Sequence, residues 1–278
     1  HSDHARSGHN SYLCSNATQS LMKVRLDSKA RVEGMKFGEK RKIGDATVSF
    51  HPAGHILGSA QIRVEVKGRV WVVSGDYKPQ VDQTCEPFEL VPCHGFISEC
   101  TFGLPVYRWM PEELIHQQIN AWWKENRANR TPSLLFAYSL GKAQRVLAGL
   151  DPEIGPIFVH GAVDAFVRIY RDLGVNLPVV EKADPKLDQD YSGAIILAPP
   201  AVEEAAACAV ATRAARAAPR AGRAAATCAR APPPRRSSRR TQNAHSRTEA
   251  RTGRRLAPVQ ELRANRSPSR PANFHGIH

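Results

Sequence analysis

At Pro200 the chain changes the residues it is written in, and that change limits what can fold. Residues 201–278 hold 16 Arg, four Glu and no Lys, with Phe274 as the one aromatic among Ala, Pro and Ser. Such a stretch has too little apolar surface to offset its ordering entropy, so it is expected to be disordered, although Ala205 to Ala226 has helix propensity. Of the 39 Lys and Arg and 26 Asp and Glu in the chain, residues 1–200 therefore hold 23 and 22. Of the formal charge of +13, +12 belongs to the tail. Charge alone thus gives no argument that the folded part binds nucleic acid. The switch from mixed Lys and Arg to Arg alone is what a GC-rich gene read in a shifted frame would produce, and sequencing the coding DNA tests this: another frame should restore a recognisable continuation.

The six cysteines, Cys14, Cys85, Cys93, Cys100, Cys208 and Cys228, form no C-x-x-C pair and no dense framework. That spacing fits a reducing cytoplasm better than a secreted disulfide scaffold. No uninterrupted apolar run approaches the ~20 residues of a membrane span. The chain opens on His1 without a Met or a signal pattern, so it is expected to be processed or to start within a longer protein.

Two patterns divide the rest. Residues 1–104 read as short strands and turns, with alternation in Thr47 to Phe50 and Gln61 to Val66. The Lys67-Gly68 step leads into Val70 to Val73, a hairpin signature. Gly95 to Ser98 reads as a further strand, ending at Glu99. Beyond residue 105, Pro111 opens a helix with Glu112 and Glu113 in its first turn and Leu114, Ile115, Ile119, Trp122 and Trp123 as its apolar face. Strand and helix then alternate: Ser133 to Ala137, Gly141 to Ala148 with Gly149 as terminator, Pro156 to Val159, Val163 to Leu173, and Ala194 to Leu197. That succession predicts an α/β unit with a mostly parallel sheet.

The residues able to do chemistry sit at the edges of these elements. His1-Ser2-Asp3-His4 packs two imidazoles and a carboxylate into four residues, donors suited to a borderline metal such as zinc; a surface turn with a capping Asp is the plain alternative. His55 lies between Gly54 and Gly58, where backbone can approach a metal or phosphate. Asp76 follows a buried strand, a place where rigid sheets display catalytic side chains. Taken singly, His55 fits a core histidine and Asp76 a turn former.

Taken in order, these motifs resemble the β-CASP branch of metallo-β-lactamase-fold nucleases, most closely the bacterial ligase-associated DNA exonucleases often labelled mRNA 3′-end processing factors. His1-Ser2-Asp3-His4 matches the last four positions of the family's H-x-H-x-D-H motif. His55 in Ala-Gly-His matches its third metal motif, Asp76 in Ser-Gly-Asp the bridging carboxylate, and Glu99 in Ser-Glu-Cys-Thr-Phe-Gly the acid that opens the β-CASP insertion. Phe136 to Gln144 looks like a strand-to-helix segment of that insertion. The resemblance spans residues 1–200; the family's later S-x-H-x-D and H-G motifs have no match in the tail, where His245, His275 and His278 have the wrong neighbours.

The resemblance implies a partial αββα sandwich over 1–104, a partial β-CASP α/β domain over 105–200 and a low-complexity tail over 201–278. It implies two zinc ions, with manganese as an alternative, stabilising both oxygens of a phosphodiester displacement and acidifying a water. His1 and His55 would serve one ion, Asp3 and His4 the other, and Asp76 would bridge. The second set is expected to keep more of its ligands. Asp3, Asp76 and Glu99 would be catalytic, Glu99 by orienting groups or assisting proton transfer. The implied activity is 3′ exonuclease action on DNA ends beside a DNA ligase in the cytoplasm, with RNA 3′-end processing or a catalytically dead nucleic-acid-binding remnant as alternatives. Lys142, at a helix start that favours anions, is a candidate phosphate contact or a solvated helix Lys. His160 is read as a nucleic-acid contact near the cleft. Trp122 and Trp123 would stack bases or, at their helical spacing, pack a core.

Overall fold

The computed structural model describes residues 1–103, 107–184, 187 and 189–202. The expectations for the tail, its disorder, partial helix and shifted frame, lie outside the described residues. A 3-10 turn, Ser2–His4, leads to strand β1 (Ser11–Ser15), helix α1 (Asn16–Arg25) and strand β2 (Arg31–Met35), and the two strands pair in parallel. Helix α1 corrects the sequence reading, which saw only strands and turns up to residue 104. It buries only Thr18, Leu21 and Met22, a stripe too short to stand out as a 3.6-residue period. The Ser15 hydroxyl starts it by accepting the Thr18 amide at 3.3 Å.

Strands β3 (Arg41–Ile43), β4 (Ala46–Pro52), β5 (Ala60–Val66), β6 (Arg69–Val73) and β7 (Gly95–Ile97) form one sheet in chain order. Pairing is antiparallel as far as β6, and β7 lies parallel to it. The β5–β6 hairpin closes as predicted: Val66 pairs with Arg69, and Lys67 and Gly68 have φ of 48° and 76°. Two successive positive φ values are what a type I′ turn requires.

Helices and strands then alternate as α2 (Glu112–Ala128), β8 (Ser133–Phe136), α3 (Lys142–Ala148), β9 (Ile157–Val159), α4 (Gly161–Asp172), β10 (Glu181–Lys182) and β11 (Ile195–Ala198). The strands make a parallel sheet in the order β10-β9-β11-β8. β11 has a neighbour on each side and buries all four of its residues, as a central parallel strand covered on both faces does. The α/β reading is thus observed. No helix among the described residues is long and apolar enough to cross a membrane.

One apolar cluster ties the halves of the chain together. Leu21 of α1 and Ile56 and Leu57 of the β4–β5 loop share it with Ile119 and Trp123 of α2 and Tyr170 of α4. Burying a side chain of the Ile or Leu type contributes about 1.5–3 kcal/mol, so Ile56 and Leu57 anchor the loop that carries His55. On α2, Ile115, Ile119 and Trp123 are buried as the periodicity predicts, but Leu114 is 46% exposed and lies off that stripe. Trp123 is fully buried, with its indole N–H donating to the Gly193 carbonyl at 3.0 Å. It is a core residue with its one donor satisfied and has no free face for a base; Trp122 packs partly buried against the same core.

Candidate metal centre

Three imidazoles reach one carboxylate oxygen. The Nε2 atoms of His1, His4 and His55 lie 3.0, 3.4 and 3.8 Å from Oδ2 of Asp76. His1 and His4 meet because the 3-10 turn repeats every three residues and eclipses positions i and i+3; their rings are 4.2 Å apart. The turn is held by the His4 amide donating to the His1 carbonyl at 3.1 Å and by the Asp3 amide donating to His1 Nδ1 at 3.3 Å. His55 arrives from the β4–β5 loop, its ring 5.1 Å from that of His1. Asp76 stands three residues beyond β6, where the strand has delivered the chain to the same end of the sheet.

Donor atoms of His1, His55 and Asp76 all lie within 4.8 Å of one another. Imidazole nitrogen and carboxylate oxygen together are the donor set that zinc takes. Burial lowers the His55 pKa below its ordinary 6.5, against the opposing pull of Asp76, and Arg145 lowers it further while Glu99 raises it. The ring is therefore neutral near pH 7, with a lone pair to offer.

The remaining expected residues fall in different places. Asp3 turns its carboxylate to Arg25 of α1 in an ion pair in which both side chains are 40% exposed. Such a pair is worth about 0–1 kcal/mol and does not lock Asp3 in place. The fuller set was expected at Asp3, His4 and Asp76; the group whose donor atoms all lie within 4.8 Å of one another is His1, His55 and Asp76, with His4 Nε2 also 3.4 Å from Asp76. Glu99 accepts from the Thr101 amide at 3.2 Å and its charge is felt at His55. Lys142 opens α3 with its ammonium 5.2 Å from the centre of the Tyr138 ring. Burial, with Arg145 nearby, lowers its pKa. His160 is the N-cap of α4, its Nδ1 accepting from the Ala162 amide at 3.1 Å.

Several residues around the centre were not anticipated. Arg145 of α3 forms a buried ion pair with Asp82 and donates from Nη2 to the His55 carbonyl at 2.9 Å. Gly141, with φ of 81°, brings α3 against the same loop: a Cβ there would sit 2.2 Å from Ile56 Cγ2. The signal available was an Arg on the apolar face of a short helix, since a buried charge is almost always paired. Its partner, 63 residues away, could not be named from the sequence.

The fold and donor set thus define an α/β protein with a candidate centre for a divalent metal, built from one end of the five-stranded sheet and the turn that precedes β1. No protein-family profile matches the chain. A probable DNA ligase of Opitutus terrae is 33% identical over 209 residues, which are 74% of this chain and 20% of that protein. An RNase J-like protein of Methanocaldococcus jannaschii is 26% identical over 149 residues, 50% of this chain and 35% of the relative. The cleavage and polyadenylation specificity factor 73 of Drosophila melanogaster is 26% identical over 152 residues, 49% of this chain and 20% of that one. With the order of the motifs, these relationships place the chain among the β-CASP nucleases of the metallo-β-lactamase superfamily. The chain spans only about a fifth to a third of the length of these relatives.

Proposed function

We propose that the chain carries part of the active face of a zinc-dependent phosphodiester hydrolase that trims the 3′ ends of DNA beside a DNA ligase. In this reading residues 1–104 are part of a metallo-β-lactamase αββα domain and residues 105–200 part of a β-CASP insertion. The observation that carries it is the convergence of three imidazoles on Asp76. His1, His55 and Asp76 would hold one ion; His4 and Asp3, released from Arg25, would hold a second, with Asp76 between. When bound, zinc or manganese supplies charge stabilisation to a phosphodiester displacement and acidifies water near neutral pH. The protein's own contribution is positional: the 3-10 turn aligns His1 and His4, the anchored loop presents a neutral His55, and Glu99 stands close enough to His55 to influence its proton. Lys142, next to the Gly141 contact with Ile56, is assigned a backbone phosphate of the substrate, and His160 a second contact on the same side.

The DNA reading is favoured because the relative named as a ligase matches more of this chain, at higher identity, than those named for RNA. RNA 3′-end processing is the second reading and rests on the latter two. The test is incubation of the purified chain with 5′-labelled single- and double-stranded DNA and RNA, with zinc or manganese, with chelator, and as Asp76→Asn. Chelator-sensitive shortening of DNA that Asp76→Asn loses is the expected result. Shortening of RNA alone would replace the substrate assignment. Salt-dependent binding that ignores chelator, without cleavage, would make the chain a nucleic-acid-binding remnant.

A further inference from the structure

We propose that Arg145 is a positioning residue for His55, fixing the metal-binding loop from the helical side of the molecule; the assignment rests on the metal reading above. The loop between β4 and β5 is tethered at nearly every peptide. The amides of His55 and Ile56 both donate to Ser59 Oγ, at 3.0 and 3.2 Å. The Gly58 amide donates to Glu86 Oε2 at 3.0 Å, and the Gly58 carbonyl accepts from the hydroxyls of Ser15 at 2.6 Å and Thr18 at 2.8 Å. The Leu57 amide donates to Tyr170 Oη at 3.4 Å. The His55 carbonyl is taken by Arg145, at 2.9 Å.

A guanidinium at that point is not needed for packing. Arg145 is 3% exposed on a helix whose neighbouring buried residues include Ala143, Val146 and Leu147, and a buried ion pair is often no more stabilising than an apolar residue of similar volume. What the guanidinium does, and an apolar or ammonium side chain does not, is donate in two directions from one rigid plane. Its Nε faces Asp82 while its Nη2 faces the His55 carbonyl. Asp82 is itself fixed, its Oδ1 accepting from the Thr84 amide at 2.9 Å and hydroxyl at 2.7 Å, with Lys78 Nζ 3.6 Å from Oδ2. The peptide of His55 is thus referenced to an immobile carboxylate. Tilting that peptide would swing the imidazole away from Asp76, so the fork sets the geometry on which metal affinity depends.

The experiment measures zinc affinity of the full chain by chelator competition, with thermal unfolding and circular dichroism recorded for every variant. Arg145→Lys keeps the charge opposite Asp82 but lacks the fork; the pair Asp82→Asn with Arg145→Gln removes both charges together and keeps a polar side chain at each position. Both are expected to fold and to bind zinc about tenfold or more weakly, as loss of a group that orients a metal ligand does. In a His55→Ala background the same substitutions are expected to change zinc affinity by less than about twofold, since a residue acting through His55 has nothing left to position. Unchanged zinc affinity in the folded variants overturns the proposal. So does a loss of equal size with and without His55, because that is the signature of general loosening. If the wild-type chain binds no zinc, the metal reading falls and the Arg145 assignment with it.

Discussion

The two segments that bring histidines to Asp76 are built differently. The turn carrying His1 and His4 is held mainly by its own hydrogen bonds and by one exposed ion pair, Asp3 with Arg25. The loop carrying His55 is tied by side chains from β1, α1, α3 and α4, and inserts Ile56 and Leu57 into the main core. The two segments therefore differ in how many hydrogen bonds from other elements hold them, although Ser2 and the His1 side chain are themselves buried. The difference makes the His55 loop the more heavily cross-braced of the two, and the place where removing one brace should be felt most.

The strongest way to break this comparison is to remove the anchor. Arg145→Ala removes the main partner of the buried Asp82 carboxylate, whose side chain is 1% exposed, and leaves it only the more distant cation of Lys78 at 3.6 Å. A stability loss of about 3–5 kcal/mol is expected, read as a lower denaturant midpoint, and a loss below 1 kcal/mol would show that the loop is not held from α3. Removing the meeting point comes next. Asp76→Asn should weaken zinc binding by more than about 100-fold, beyond the range seen for groups that merely orient ligands, while hardly moving the thermal midpoint; atomic-emission analysis of bound zinc checks it.

Acid should weaken the brace on the His55 loop. Burial alone would raise the Asp82 pKa, but Arg145, Thr84 and Lys78 outweigh it and hold the carboxyl below its ordinary 3.8. A carboxylate with a depressed folded pKa contributes stability that is complete above 3.8 and is lost as pH falls through the folded value. Stability should therefore drop below about pH 4, and the Asp82→Asn, Arg145→Gln pair should flatten that limb. A limb of unchanged steepness would assign the acid sensitivity to other carboxylates. The smallest effect belongs to the turn: Arg25→Ala frees Asp3 at a cost of at most about 1 kcal/mol, and zinc affinity should hold or rise. A tenfold loss of zinc would mean that Arg25 orients the turn and that both segments are rigid.

Much of this was legible in the chain itself. The β5–β6 hairpin, the helices after Pro111 and the buried strands of the parallel sheet are local matters, written in periods of 2 and 3.6 residues and in the turn chemistry of Lys67-Gly68. Helix α1 was not legible, because three buried residues, one of them Thr18, make too weak a pattern. The residues that converge, His1, His4, His55 and Asp76, were also visible in the sequence, as residue types at recognisable spacings. Only the tertiary structure decided how they are used. That His1 and His55 share Asp76, that Asp3 turns to Arg25, and that Arg145 holds the His55 carbonyl depend on contacts across 75, 22 and 90 residues. Side-chain spacing along a chain has no bearing on such distances, which are set by which strands pair and which helices pack.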